Sequence, residues 1–171
     1  MKQEEREELA EQAYQQAFEL ENSYGCCPQC VLTAIKDTVG DVSDDTIKAS
    51  HGLSGGGGLM GLGACGALTG GLMALSTKRG RDADKLHRGS GIGNFQVGRK
   101  LVEMFEQEFG GVTCEHLQKQ FTGRTWDMWK PEEYKAFSDN RGDQCARATA
   151  LASSPTVISS PVPMLMGPAS E

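Results

Sequence analysis

Gly55-Gly56-Gly57-Gly58-Leu59-Met60-Gly61-Leu62-Gly63-Ala64-Cys65-Gly66-Ala67-Leu68-Thr69-Gly70-Gly71-Leu72-Met73-Ala74-Leu75-Ser76 is the stretch that decides the fold. Its first part reads as a loop, because consecutive glycines lose too much backbone entropy to be helical. Beyond Cys65 the small residues fall at 67, 70, 71 and 74, and larger apolar ones at 68, 72, 73 and 75. That spacing predicts a buried central helix with one face small enough for close approach by another helix or a cofactor. The same spacing also suits a plain, tightly packed core helix.

Outward from this segment the chain reads as helices. Residues 3–21 form an amphipathic pattern, with Leu9, Ala13, Tyr14, Ala17, Phe18 and Glu21 at helical spacing. Pro28 fits the first position of a second helix that ends near Gly40. Ser43 suits the N-cap of a short helix. Asp82 to Gly93 is polar and glycine-spotted, which predicts a surface loop. Val97, Leu101, Val102, Phe105 and Phe109 define one face of a helix from about Asn94. Thr113, Pro131 and Asp143 open three more, the last running from Gln144 to about Leu151. Strand alternation is missing. The expected fold is all-α: a single-domain helical bundle over residues 1–151 with a Gly-rich loop leading into the buried central helix. A flexible Ser/Pro-rich tail is expected over 152–171.

The 171 residues suffice for one domain with a modest core. A formal net charge of −6 gives no general attraction to nucleic acid or anionic lipid, so neither is expected as a partner. No segment approaches the roughly 20 apolar residues that span a bilayer, so no membrane insertion is expected. The acidic N-terminus lacks the apolar stretch of a secretory signal, which points to the reducing cytoplasm. Stable structural disulfides are disfavoured there, so the six cysteines point toward metal or redox chemistry.

Cys27, Cys65, Cys114 and Cys145 each fall at or beside a predicted first helical turn. Free N–H groups and the positive dipole end stabilise a thiolate there, the form that ligates metals and attacks disulfides. The four can converge if those helix ends point inward. Cys27-Pro28-Gln29-Cys30 adds a local C-x-x-C, without the preceding strand of a thioredoxin-type unit or the second C-x-x-C of a zinc ribbon. His51, His87 and His116 lack zinc-finger spacing. Gly61, Gly63 and Gly66 match G-x-G-x-x-G, but no strand precedes them and no phosphate-loop lysine follows, so nucleotide binding is not expected.

Cys65-Gly66-Ala67-Leu68-Thr69-Gly70 resembles the central signature of the redox-active family named for its four cysteines, C_GCAxxG_C_C. Cys27 to Leu32 resembles that family's first cysteine segment, Gly55 to Gly58 its glycine run, and Lys78-Arg79-Gly80-Arg81 the basic turn after the signature helix. Cys114 and Cys145 fall as its third and fourth cysteines, whereas Cys26 and Cys30 are additional. The resemblance covers roughly residues 10–150 and implies a helical fold with a redox role. The family is similar to a domain of split-Soret cytochromes, where an iron–sulfur centre accompanies the haem. Haem attachment is not implied here, because Val31 stands where C-x-x-C-H needs histidine.

Three functions follow from these cysteines. In the first, Cys27, Cys65, Cys114 and Cys145 ligate an iron–sulfur cluster, most simply [2Fe–2S], with backbone N–H groups near Gly66 approaching the sulfurs. The protein would then transfer single electrons to a separate redox partner protein, or sense redox state. In the second, an oxidoreductase attacks disulfides through Cys27, with Cys30 or Cys65 resolving. In the third, the cysteines hold structural zinc in an interaction module. Apolar helical faces on a small core also allow a homodimer.

Overall fold

Helix α1 (Gln3–Tyr24) is followed by α2 (Cys27–Thr38), α3 (Asp44–Ser50), α4 (Gly66–Arg79), α5 (Ile92–Phe109), α6 (Cys114–Thr122), α7 (Pro131–Asn140) and α8 (Gln144–Ser153). The computed structural model describes residues 2–154. Among the described residues there is no β-strand, only one isolated bridge between Ala64 and Thr113, and the helices form a single all-α domain. No described helix is long and apolar enough to cross a membrane.

α4 is the central helix, packed against α2, α5 and α8. Its buried residues are Gly66, Ala67, Leu68, Gly70, Gly71, Ala74 and Leu75, so the small-residue face does admit close neighbours. A Cβ on Gly70 would stand 2.9 Å from the Pro28 backbone of α2, and one on Gly71 would stand 2.8 Å from the Ala152 carbonyl oxygen of α8. Val31, Leu32, Leu68, Leu75, Leu101 and Phe105 fill the core around this contact.

The first and last helices pack together through small residues. Ala10, Ala13 and Ala17 are buried on α1, whereas Leu9, Tyr14 and Phe18 are only partly covered. The larger apolar residues of the predicted face therefore flank the seam rather than fill it. α8 continues through Ser153, two residues past the predicted domain end. Ala152 and Ser153 are buried there, and the Ser153 hydroxyl donates to the Ala13 carbonyl oxygen at 3.0 Å. Backbone that is buried and hydrogen-bonded in this way overrides a local Ser/Pro composition. The rest of the predicted tail lies outside the described residues.

Most predicted caps are present. Ser43 accepts from the Thr46 N–H, and Thr113 accepts from the His116 N–H at 3.2 Å. Asp143 does not cap α8; its carboxylate accepts from the Asn22 side chain of α1 at 3.4 Å. Thr113→Ala is expected to cost about 1 kcal/mol, the usual loss for an N-cap. Urea unfolding of that variant against Thr113→Ser checks it, since serine keeps the acceptor.

Candidate functional site: a four-cysteine cavity

The glycine run builds one wall of the site. Gly55 to Gly58 and Leu59 all have positive φ, which folds the run into tight left-handed turns that a β-carbon would oppose. The turns aim carbonyls at other elements. Gly63 O accepts from the Cys114 N–H at 3.1 Å, and Gly61 O accepts from the Glu115 N–H at 2.9 Å. The Cys65 N–H donates to Val112 O at 2.7 Å. The loop thus ties the start of α4 to the start of α6, and brings Cys65 and Cys114 to the same end of the bundle.

Cys27 is the first residue of α2, Cys65 the N-cap residue of α4, Cys114 the first residue of α6 and Cys145 the second of α8. All four line one cavity of about 70 Å³. Cys65 is the neighbour that acts most strongly on the Cys27 thiol. Packing here is close: a Cβ on Gly66 would stand 2.6 Å from Cys27 Sγ. Only glycine lets the first turn of α4 approach that sulfur.

Cys30 stands apart. Its thiol donates to the Gly25 carbonyl oxygen at 2.9 Å, and it does not line the cavity. The local C-x-x-C is therefore not the thiol pair in contact; Cys65, far along the chain, is the neighbour of Cys27. Cys26 does line the cavity, from a left-handed backbone conformation at φ 64° that costs a non-glycine residue about 1 kcal/mol.

Three of these cysteines, Cys27, Cys114 and Cys145, are pushed toward the thiol form. The Cys27 thiol lies well above its ordinary range, first because of the neighbouring Cys65 thiol and then because it is buried. Burial pushes Cys114 up to about 11 and Cys145 up to about 12, against the pull of Arg141 on the latter. The expected helix-dipole stabilisation is outweighed here. Desolvation disfavours each charge, and the amides of Cys114 and Glu115 are already occupied by the glycine loop.

Three further residues at the cavity escaped the reading of the sequence. Glu21 of α1 and Arg141, the C-cap residue of α7, both line it, with Arg141 Nη1 3.6 Å from Glu21 Oε1. A carboxylate on the apolar face of α1 is the signal that pointed to Glu21; Arg141 carries no local signal. Ser54 also lines the cavity, hydrogen-bonded to Cys26, within Gly52-Leu53-Ser54-Gly55-Gly56. That run has the G-x-S-x-G spacing, but the strand-turn-helix context of a hydrolase elbow is missing, because Ser54 follows a 3₁₀ turn.

The donor set suits a sulfur-bridged cluster in kind: five cysteines line the cavity, four of them at the starts of four helices and Cys26 beside Cys27, with an orphaned Arg141 Nη1 among them to meet negative charge. Among the described residues no three Cys, His, Asp or Glu side chains are drawn together around a single metal ion. A preformed site for a single metal ion is thus not present among the described residues.

Residues 25–156 match the family described as "Putative redox-active protein (C_GCAxxG_C_C)". No curated protein and no solved structure matches the chain.

Proposed function

The chain belongs to the C_GCAxxG_C_C family of redox-active proteins, and on that premise we propose that its redox chemistry resides in the four-cysteine cavity, where Cys27, Cys65, Cys114 and Cys145 hold an iron–sulfur cluster. The observation that carries this reading is the common cavity itself. Four sulfurs separated by up to the length of the domain line one small space at four helix N-termini. Such a cluster, when bound, supplies one-electron exchange. The chain's own residues do the rest. Gly66 permits close approach of α4, the glycine loop fixes Cys65 relative to Cys114, and Phe137, Phe121 and Leu117 make the surrounding wall apolar. In this reading the protein works in the reducing cytoplasm and exchanges electrons with a separate protein.

A second reading rests on the Cys27–Cys65 contact. Cys27 would attack a substrate disulfide as thiolate and release one substrate thiol. Cys65 would then displace the second, leaving a Cys27–Cys65 disulfide, with the two protein protons passing to the two thiols released. The elevated Cys27 thiol works against this, since little thiolate forms near neutral pH. The cluster reading is preferred because Cys114 and Cys145 line the same cavity and have no part in a two-thiol exchange.

Anaerobic reconstitution with ferrous iron and sulfide tests both. Wild type and Cys30→Ser are expected to take up iron and acid-labile sulfide together, with visible absorption. Cys65→Ala is expected to retain less than about a tenth of that iron. A wild-type protein that stays colourless and iron-free overturns the cluster reading. Oxidation of that same protein to a Cys27–Cys65 disulfide favours the second.

A further inference from the structure

Two charged residues at the cavity have no part in holding a cluster. Glu21 lies in the last turns of α1 and is 5% exposed; the Arg141 side chain is 12% exposed. Glu21 Oε2 and Arg141 Nη1 have no hydrogen-bond partner, and the closest approach between the two groups is 3.6 Å. Arg141 lines the same cavity as Cys145, acts on it electrostatically and stands over the Phe137 ring at 6.0 Å. The other titratable groups around this pair include Cys26, Cys27 and Cys30 of the α1–α2 junction and α2, Cys114 of α6, Tyr134 of α7 and Cys145 of α8. Arg141 is therefore the one cation that acts on these groups among the described residues.

A buried ion pair contributes little net stability, because desolvation of both charges offsets their attraction. Its placement has another consequence. A positive charge held against Cys145 in a weakly polarisable wall favours whichever redox state of the cavity carries more negative charge. We propose that Arg141 is a positioning residue that holds this positive charge at Cys145 and thereby sets the redox potential of the cavity, with Glu21 fixing the guanidinium from α1. The assignment rests on the cluster reading above. One electron arrives from an external one-electron donor, no bond in the chain breaks, and the net charge of the cavity becomes more negative by one.

The test is an equilibrium redox titration of the reconstituted full chain with dithionite as the donor. It is run at about pH 8.5, where the Glu21 carboxyl is ionised. Arg141→Gln is expected to disfavour reduction by about tenfold, which is 59 mV for one electron. Arg141→Lys, which keeps the charge, is expected to stay within about threefold of wild type. Glu21→Gln removes a negative charge and is expected to shift the couple the opposite way, toward easier reduction. Loosened packing alone would move both variants in the same direction. Opposite shifts support the assignment; parallel shifts, or none, overturn it while leaving the cluster reading intact. Wild-type protein with no reversible couple overturns both. Should Arg141→Gln not fold, Arg141→Met in the same titration decides: harder reduction supports the assignment, and no change or easier reduction overturns it.

Discussion

Relative to a Glu21→Gln variant, the wild-type protein is expected to lose about 3 kcal/mol of folding stability as the pH rises from about 4.5 to about 8. Burial on α1 raises the Glu21 carboxyl from its ordinary 4.5 to about 7, although Arg141 and the Cys30 thiol both act in the opposite direction. Between those values the unfolded chain has released its proton and the folded chain still holds it. Folding therefore binds a proton, and raising the pH works against it. The contribution is fully present below about 4.5 and is gone once the pH has passed through about 7. The magnitude follows from the distance between 4.5 and about 7, at about 1.4 kcal/mol per pH unit. Glutamine cannot ionise, so the variant lacks this slope while other carboxylates titrate alike in both proteins. Urea unfolding at steps of pH measures the difference directly. Parallel stability curves would mean that Arg141 fully compensates the buried charge.

The second large effect belongs to Gly70. Gly70→Ala is expected to destabilise the protein by about 2 kcal/mol net. The added Cβ would meet Pro28 Cα and Pro28 O at 2.9 Å and Val31 Cβ at 3.1 Å. Two of those three atoms are backbone, so no side-chain rotation relieves the contact. Overpacking of this kind costs up to about 3 kcal/mol, and the better helix propensity of alanine returns about 1. Pro28 follows Cys27 directly, so a displaced α2 also moves a cavity sulfur. Gly93 provides the control. It lies in α5, and a Cβ there would meet nothing within 4 Å. Gly93→Ala is expected to be neutral or stabilising by up to about 1 kcal/mol in the same chemical denaturation measurements. Equal effects at the two positions would remove the close α2–α4 contact as an explanation.

Local chemistry made much of this fold legible. Pro28, Ser43, Thr113 and Pro131 mark helix starts because each acts on neighbouring backbone groups. The small residues of 67–74 announced a close helix contact because volume is a property of the residue itself. The placement of four cysteines at helix starts was readable for the same reason. What the sequence could not give depends on packing between distant segments. Asp143 looks like a cap in one dimension, yet it meets Asn22 across the bundle. Cys30 looks like the partner of Cys27, yet the helix turns its thiol to Gly25 O. Cys114 and Cys145, expected as thiolates, are pushed toward the thiol form because desolvation, a consequence of tertiary burial, exceeds what a helix terminus supplies. Arg141 reaches the cavity only because α7 ends beside α1 and α8.

The seam between α1 and α8 also orders events during synthesis. Cys145 reaches the cavity only when α8 has docked on α1 and α2. α8 is made last of the eight described helices, so the polypeptide emerging from the ribosome carries three of these four sulfurs well before the fourth. The lining of the cavity is therefore complete only after the last described helix has been made and packed.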